Sequence, residues 1–102
     1  MDTKTVELSS KKKVKIKEMS IDDIDFCSDL TILNYQDGEM KNISGLSKSR
    51  TAWLRRGIAG GDFKNFTTDG NGFPTDKVLK QLTDDEKNEI INLIQEYQKL
   101  GE

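Results

Sequence analysis

Hydrophobic residues recur at helical spacing most clearly near the C-terminal end of the chain. In the segment "LTDDEKNEIINLIQEYQKLGE" the apolar positions three or four apart are Ile90, Leu93, Ile94 and Tyr97. Thr83 and Glu86 precede them at the spacing of a capping box, and Gly101 follows as a stop signal. The pattern predicts a long amphipathic C-terminal helix. Ile91 makes its apolar stripe wider than one buried face requires, which favours a partner docked on part of that stripe.

The N-terminal segment "KTVELSSKKKVKIKEMS" has a different period. Val14 and Ile16 alternate with lysines, which predicts a strand with one buried face and one lysine face. Val6 and Leu8 alternate in the same way before a Ser-Ser pair. Two alternatives fit this pattern: a short hairpin, or a flexible tail over residues 1–12 followed by a single strand.

Ser20 opens the segment "SIDDIDFCSDLTILNYQDGE". Ser20 and Asp23 approximate a second capping box, and Ile21, Ile24 and Cys27 follow at helical spacing. A second amphipathic helix is predicted here, with its aspartates on the solvated face rather than in a metal site or a catalytic pair. Beyond it, residues 32–35 and 40–43 fit two short strands around an Asp-Gly turn.

The segment "GLSKSRTAWLRRGIAGG" predicts a short helix that begins at Ser47 or Ser49 and passes through Trp53 and Leu54. Gly57 and the later Gly60-Gly61 pair are its stop signals, and Ile58 is expected to extend its apolar edge, four residues beyond Leu54. Because so short a helix is marginal in water, its tryptophan must pack on the rest of the protein. Arg55 and Arg56 are expected to face outward.

The next segment, "GDFKNFTTDGNGFPTDKVLKQL", reads as a loop with aromatic anchors at Phe63, Phe66 and Phe73. Structure is expected to resume at Pro74 with a short helix. The whole pattern predicts an α+β fold that is mainly helical. It has an N-terminal strand or hairpin, three to four helices with a long C-terminal one, and a single domain over residues 1–102.

Composition narrows the chemistry of this domain. Hydrophobic and charged residues each make up 33% of the 102 residues, and the net charge is −2. The chain has no histidine and one cysteine, Cys27, so a zinc site and an internal disulfide are excluded. Neither a phosphate-binding glycine loop nor a nucleophile elbow is present. We therefore expect no enzymatic activity, cofactor or metal, a Cys27 that is simply buried, and a soluble cytoplasmic protein with no membrane partner.

Two function hypotheses remain. The first is a protein-binding module, with its partner-binding residues at Trp53, Leu54, Arg55, Arg56, Ile91, Ile94 and Tyr97. The arginines would act as rim charges that orient an acidic partner. The alternative is a small regulator that binds nucleic acid through the basic 46–66 segment, with contacts from Lys48, Arg50, Arg55 and Arg56. The acidic flanks disfavour this alternative, as does the long turn-rich stretch before the segment, where a helix-turn-helix motif needs a short turn.

The order of elements resembles that of the small phage proteins called tail assembly chaperones. The resemblance lies in the strand-to-helix segment "KVKIKEMSIDDIDF" and in the closing helix "LTDDEKNEIINLIQEYQKLGE", and it does not extend to "TAWLRRGIAGGDF". It implies a mostly helical protein that coats the tape-measure protein during tail assembly. It also implies association with further copies of itself or with the tail tube subunit, in the cytoplasm of the host.

Overall fold

Five strands and four helices make up the computed structural model, which describes residues 2–30, 32–36, 39–44 and 46–100. In chain order they are β1 (Thr3–Glu7), β2 (Lys13–Lys17), α1 (Ile21–Asp29), β3 (Ile32–Gln36), β4 (Glu39–Ser44), α2 (Leu46–Gly57), β5 (Ile58–Gly61), α3 (Asp76–Leu79) and α4 (Asp84–Leu100). The predicted α+β, mainly helical fold with a long C-terminal helix is confirmed.

The N-terminal segment forms a hairpin, the first of the two alternatives. β1 and β2 pair antiparallel, with Val6 opposite Val14, and Leu8 N donates to Lys12 O at 2.8 Å in the turn. Val14 and Ile16 are buried at 0% and 1% exposure, whereas the lysines that alternate with them are exposed or half-buried. The alternation of apolar and charged residues thus places one face of this sheet in the core and the other in solvent.

β5 completes this sheet beside β2, and it corrects one expectation. Ile58 does not extend the apolar edge of α2, because the helix ends at Gly57 and Ile58 pairs with Ile16 in β5. A Cβ atom at Gly57 would lie 2.8 Å from Ile94 Cγ1, so the close approach of α4 requires glycine there. Pairing with β2 satisfies the backbone of residues 58–61 and buries Ile58 to 1% exposure.

The core lies between this sheet, α2 and α4. Ile90 and Ile94 of α4 are fully buried, and Leu54 of α2 is 2% exposed. The predicted capping box begins α4: Thr83 N donates to Glu86 Oε1 at 2.9 Å, and Glu86 N donates to Thr83 Oγ1 at 3.1 Å. The cap fixes where α4 begins, and the isoleucines determine which side of it packs inward.

The remaining elements are a second hairpin, a loop and a short helix. β3 and β4 pair antiparallel as predicted, with Leu33 opposite Ile43, while the expected turn residues Asp37 and Gly38 lie outside the described residues. The 62–75 segment is a loop, as predicted, in which the Phe63 and Phe66 rings lie 5.7 Å apart between centroids. α3 follows Pro74 and buries Val78 and Leu79.

Candidate protein-binding groove

Helices α1 and α2 lie side by side and run antiparallel. Near the start of α1, Asp23 Oδ1 lies 3.3 Å from Arg56 Nε, at the end of α2. Further along α1, the carbonyl oxygen of Cys27 accepts a hydrogen bond of 3.0 Å from Ser49 Oγ, near the start of α2. Both ends of α1 therefore contact defined residues of α2.

A groove opens between these two helices on their solvent side. It has a volume of about 390 Å³, and its lining is mainly apolar. The lining residues come from α1, from the residue that follows it and from α2: Phe26, Leu30, Ser47, Lys48, Thr51, Ala52 and Arg55. Open, mainly apolar grooves of this kind are typical of sites that bind a segment of another molecule.

Phe26 is the most conspicuous residue of the groove. It is 47% exposed, and Ile21, which lies outside the groove, is 76% exposed. Among residues 2–30 and 47–99, these are the two large hydrophobic residues with this much exposure. One side of the Phe26 ring packs on Arg56, whose guanidinium carbon lies 4.1 Å from the ring centroid. The ring is thus held in place while the rest of it stays accessible to a partner.

Charges of opposite sign lie on the two helices that form the groove. On α1, Asp22 and Leu30 lie four residues before and after Phe26, and Asp22 is exposed. On α2, Lys48 is also exposed, and none of the carboxylates of residues 2–30 and 47–99 lies within 4 Å of its ammonium group. Lys48 therefore gives the apolar lining a basic edge on α2, whereas Asp22 lies on α1 beyond the lining residues.

Arg55 lines the groove but is held by a neighbouring element. Its guanidinium donates to Pro74 O at 2.7 Å and forms an ion pair with Asp76 at the start of α3. The hydrogen bond and the positive charge of Arg55 lower the pKa of the Asp76 carboxyl. Arg55 thus ties α3 to α2 and is not a free rim charge.

Arg56 is also engaged, so the expectation that both arginines face outward is wrong. Its guanidinium carbon lies 4.1 Å from the Phe26 ring centroid and 4.8 Å from that of Phe73, and its side chain is only 17% exposed. Two aromatic rings and the Asp23 carboxylate surround it. This cation therefore packs α1 and the 62–75 loop together.

The predicted apolar anchors lie in the core rather than in the groove. Trp53 and Leu54 are 8% and 2% exposed, Ile91 and Ile94 are 8% and 0% exposed, and Tyr97 is half-buried against the same cluster. Leu54 and Ile94 offer a partner almost no surface while the domain is folded, and Trp53 exposes only an edge, which lines a second groove with Ile24 and Gln98. Helical spacing identified the apolar stripe correctly, but it does not distinguish a stripe that packs internally from one that binds a partner.

Phe26 and Leu30 were not predicted as site residues. The sequence contains one indication of a surface site: Phe26 lies one residue away from the apolar stripe formed by Ile21, Ile24 and Cys27. One residue is about 100° around a helix, so a large aromatic at this position falls beside the apolar face. An aromatic residue that lies beside the apolar stripe of its helix, rather than within it, can therefore indicate a surface site.

The basic residues of the nucleic-acid alternative do not form a common patch. Arg50 Nη2 lies 3.7 Å from Asp84 Oδ1, Arg55 pairs with Asp76, and Arg56 lies near Asp23. Of the four candidates, Lys48 alone is exposed, and the three arginines are half-buried. Strands β3 and β4 also separate α1 from α2, where a helix-turn-helix motif has a short turn. The geometry therefore does not favour phosphate binding by this segment.

Cys27 is the single thiol of the chain. Cys27 is fully buried, and burial raises its pKa to about 11, although Arg56 acts in the opposite direction and Asp23 raises the pKa slightly further. Within the described ranges, no group of three or more Cys, Asp or Glu side chains is arranged to hold a metal ion. None of the helices that the structure describes combines the length and apolar character needed to cross a bilayer.

Comparison of the chain with protein-family models, with curated proteins and with solved structures gave no match.

Proposed function

We propose that this protein is a non-enzymatic protein-binding module and that the groove between α1 and α2 is its docking site. The observation that carries the proposal is the exposed ring of Phe26 beside an apolar lining. Full burial of a phenylalanine side chain contributes about 1.5–3 kcal/mol, so a partner that covers the exposed part of this ring gains a useful fraction of that energy. Aromatic residues held in place by their neighbours are common binding hot spots.

The specific form of the proposal is a phage tail assembly chaperone that binds the tape-measure protein or the tail tube protein. It is supported by the resemblance in the order of elements, from the β2–α1 segment to α4. The groove adds a physical reason. A tail protein whose apolar segments are exposed before assembly would tend to aggregate, and an open apolar groove can shield such a segment without a deep pocket.

Co-expression with a tape-measure protein encoded by the same genome tests this function. We expect the soluble fraction of the tape-measure protein to rise in the presence of this chain. Phe26→Ser should remove most of that rise, because the variant loses the exposed ring. Ile21→Ser is the matched control, since Ile21 is exposed but does not line the groove. Circular dichroism melting curves should show that both variants are folded.

A soluble fraction that does not change with this chain present would argue against the chaperone function. Equal effects of Phe26→Ser and Ile21→Ser would argue against the groove as the docking site, whatever the partner.

A further inference from the structure

We infer that the solvent face of the β1–β2–β5 sheet is a second binding site, which holds the sugar-phosphate backbone of a single-stranded nucleic acid. This face shares no residue with the groove between α1 and α2, so the inference goes beyond the proposed docking function. It follows from the position of the lysines in the sheet, from their neighbours and from the absence of apolar side chains around them.

Lysines occupy every outward position of β2. Lys13, Lys15 and Lys17 alternate with the buried Val14 and Ile16, so their side chains leave the sheet on the same side. Successive lysines are about 6.6 Å apart along the strand, because each residue of a strand advances it by about 3.3 Å. No carboxylate of residues 2–30 and 47–99 lies within 4 Å of any of the three ammonium groups. These lysines therefore form a straight row of cations that lack close ion-pair partners in this part of the chain.

Protection of a sheet edge does not account for this row. Lysines on edge strands prevent pairing with another chain, because charge there is costly to bury. β2 is instead the central strand, with β1 on one side and β5 on the other, so its backbone is already paired. Like charges at this spacing repel one another. A partner that brings negative charge to the row would remove that repulsion.

The neighbouring strands leave the row accessible. On one side, Lys15 and Lys17 lie opposite Thr5 and Thr3 of β1, whose hydroxyl groups can hydrogen-bond phosphate oxygens. On the other side, Lys15 lies opposite Gly60 of β5, which has no side chain to cover the lysine. The centre of the row thus combines a cation, a neighbouring hydroxyl group and open space.

The acidic groups lie toward the ends of the row. Within the three paired strands the acidic residue is Glu7, which lies opposite Lys13 at one end. Asp62 lies near the same end, where its Oδ2 accepts a hydrogen bond of 2.9 Å from Lys13 N. Asp2 and Glu18 lie beyond the other end, outside the strands. The middle of the row therefore offers its positive charge to a ligand without a directly opposed carboxylate.

This face lacks the side chains on which a protein partner would dock. Protein interfaces are centred on apolar and aromatic residues that become buried. The outward positions of the hairpin are instead threonine, lysine and glutamate: Thr3, Thr5, Glu7, Lys13, Lys15 and Lys17. A surface that offers only charge and hydroxyl groups fits a ligand with a regularly repeated negative charge, which is the chemistry of a nucleic-acid backbone. A flexible single strand can follow a straight row, whereas the backbone of a stiff duplex winds away from it.

The distribution of charge along the chain directs such a ligand to the hairpin. Residues 1–20 contain six lysines and three acidic residues, a net charge of +3 in a chain whose net charge is −2. The remaining residues therefore carry −5 and repel phosphates as a whole. Binding to this protein must be local, and the lysine row is the surface that permits it.

Fluorescence anisotropy of a labelled oligothymidylate, measured at a series of salt concentrations, tests the inference. We expect weak binding whose Kd rises about 20-fold for a fourfold increase in salt, because three phosphates neutralised on a single strand give a slope of about −2 in log K against log salt. Lys15→Gln removes one of these contacts, so the same increase in salt should raise its Kd by only about 7-fold.

Lys48→Gln is the matched control. Lys48 is an exposed lysine of α2 that lies outside the sheet, so this variant should bind the oligonucleotide as the native chain does. Circular dichroism melting curves should show that both variants are folded, since both side chains are exposed. A native chain that does not bind the oligonucleotide even at low salt would overturn the inference. Equal effects of Lys15→Gln and Lys48→Gln would do the same.

Two further ligands of equal charge test the class of partner. A duplex should bind more weakly than the single strand because it cannot follow the row. Polyglutamate should also bind more weakly, because each of its carboxylates lies on a flexible side chain that loses rotamer freedom on binding. Tighter binding of either ligand would overturn the assignment to single-stranded nucleic acid.

Phe26→Ser separates this site from the groove. The variant should bind the oligonucleotide with native affinity, since Phe26 lies on α1 and not on the sheet. Loss of oligonucleotide binding in this variant would overturn the assignment to the sheet. Loss of its effect on the tape-measure protein, with oligonucleotide binding intact, would support two independent sites.

Discussion

Helices α1 and α4 begin in the same way but have different surroundings. In α1, Ser20 Oγ accepts a hydrogen bond of 3.1 Å from Asp23 N. In α4, Thr83 and Glu86 form a reciprocal capping box, and both helices have acidic residues in the first turn. These polar signals set the first residue of each helix and are independent of what the helix packs against.

The helices differ in what they bury. α4 has Ile90 and Ile94 fully buried, whereas Cys27 is the buried residue of α1 and Phe26 beside it remains 47% exposed. One helix is therefore part of the core, and the other presents an aromatic ring to solvent. A cap and an apolar period thus predict that a helix forms, whereas the neighbours that the fold brings to it decide whether it packs internally or serves as a binding surface.

The largest effect is expected from truncating a fully buried side chain of α4. Ile94→Ala should lower the free energy of unfolding by about 2–5 kcal/mol, because it leaves a cavity next to Gly57 that close packing prevents from collapsing. Urea denaturation measures this loss. Ile94→Val is the control and should cost about 0.5–1.5 kcal/mol. A loss for Ile94→Ala no greater than that of the control would mean that α4 is not the centre of the core.

A smaller effect is expected at the cap of α4. The pKa of Glu86 is lowered by hydrogen bonds from the Thr83 backbone and from Ser10 Oγ. A lowered folded-state pKa means that the ionised carboxylate stabilises the folded protein. This stability is fully present above the ordinary pKa of about 4.5 and is lost as the pH falls through the lowered value.

Glu86→Gln should therefore lower the free energy of unfolding by about 1 kcal/mol near neutral pH. It should also make that free energy fall less steeply as the pH is lowered. Urea denaturation at a series of pH values below neutrality measures both quantities. Asp76→Asn is the control, because the pKa of Asp76 is also lowered but its side chain is 68% exposed, so solvent screening should make its effect smaller. If Glu86→Gln leaves the loss of stability at low pH unchanged, the Glu86 carboxylate does not stabilise the folded protein in this way.

The smallest effect on folding is expected at the exposed ring of α1. Phe26→Ser should change the free energy of unfolding by less than about 1 kcal/mol, since nearly half of the residue is already in contact with water. The measurement is the same denaturation experiment, with Ile94→Ala as the reference for a core position. A loss comparable to that of Ile94→Ala would show that Phe26 is a core residue and would remove the contrast between the two helices.

Local signals predicted most of the fold. The capping boxes at Ser20 and Thr83 and the alternation at Val14 and Ile16 depend on residues close together in the chain, so they are visible in the sequence. β5 was missed because Ile58 becomes a strand residue through its pairing with Ile16, a neighbour distant in sequence. Gly60 and Gly61 were interpreted only as helix stops, although Gly61 also allows close backbone approach to β2.

The site was less predictable than the fold for the same reason. The sequence indicates that Arg56 is a cation, but its position between Phe26 and Phe73 depends on where the 62–75 loop lies. Likewise, Trp53 was expected to pack on the rest of the protein, and it does; Ile94 was predicted as a partner-binding anchor, but it packs inside the domain. Helical periodicity contains no information about which apolar residues remain uncovered once the helices have packed.

The single thiol of the chain makes the protein a convenient subject for chemical labelling. Cys27 is fully enclosed between α1 and its neighbours, and at neutral pH its sulfur is almost entirely protonated. A maleimide or iodoacetamide reagent should therefore modify it only in molecules whose α1 has opened, and the modification rate would record how often that happens. A cysteine introduced on the surface would react first, so a fluorophore could be attached there without replacing the native residue.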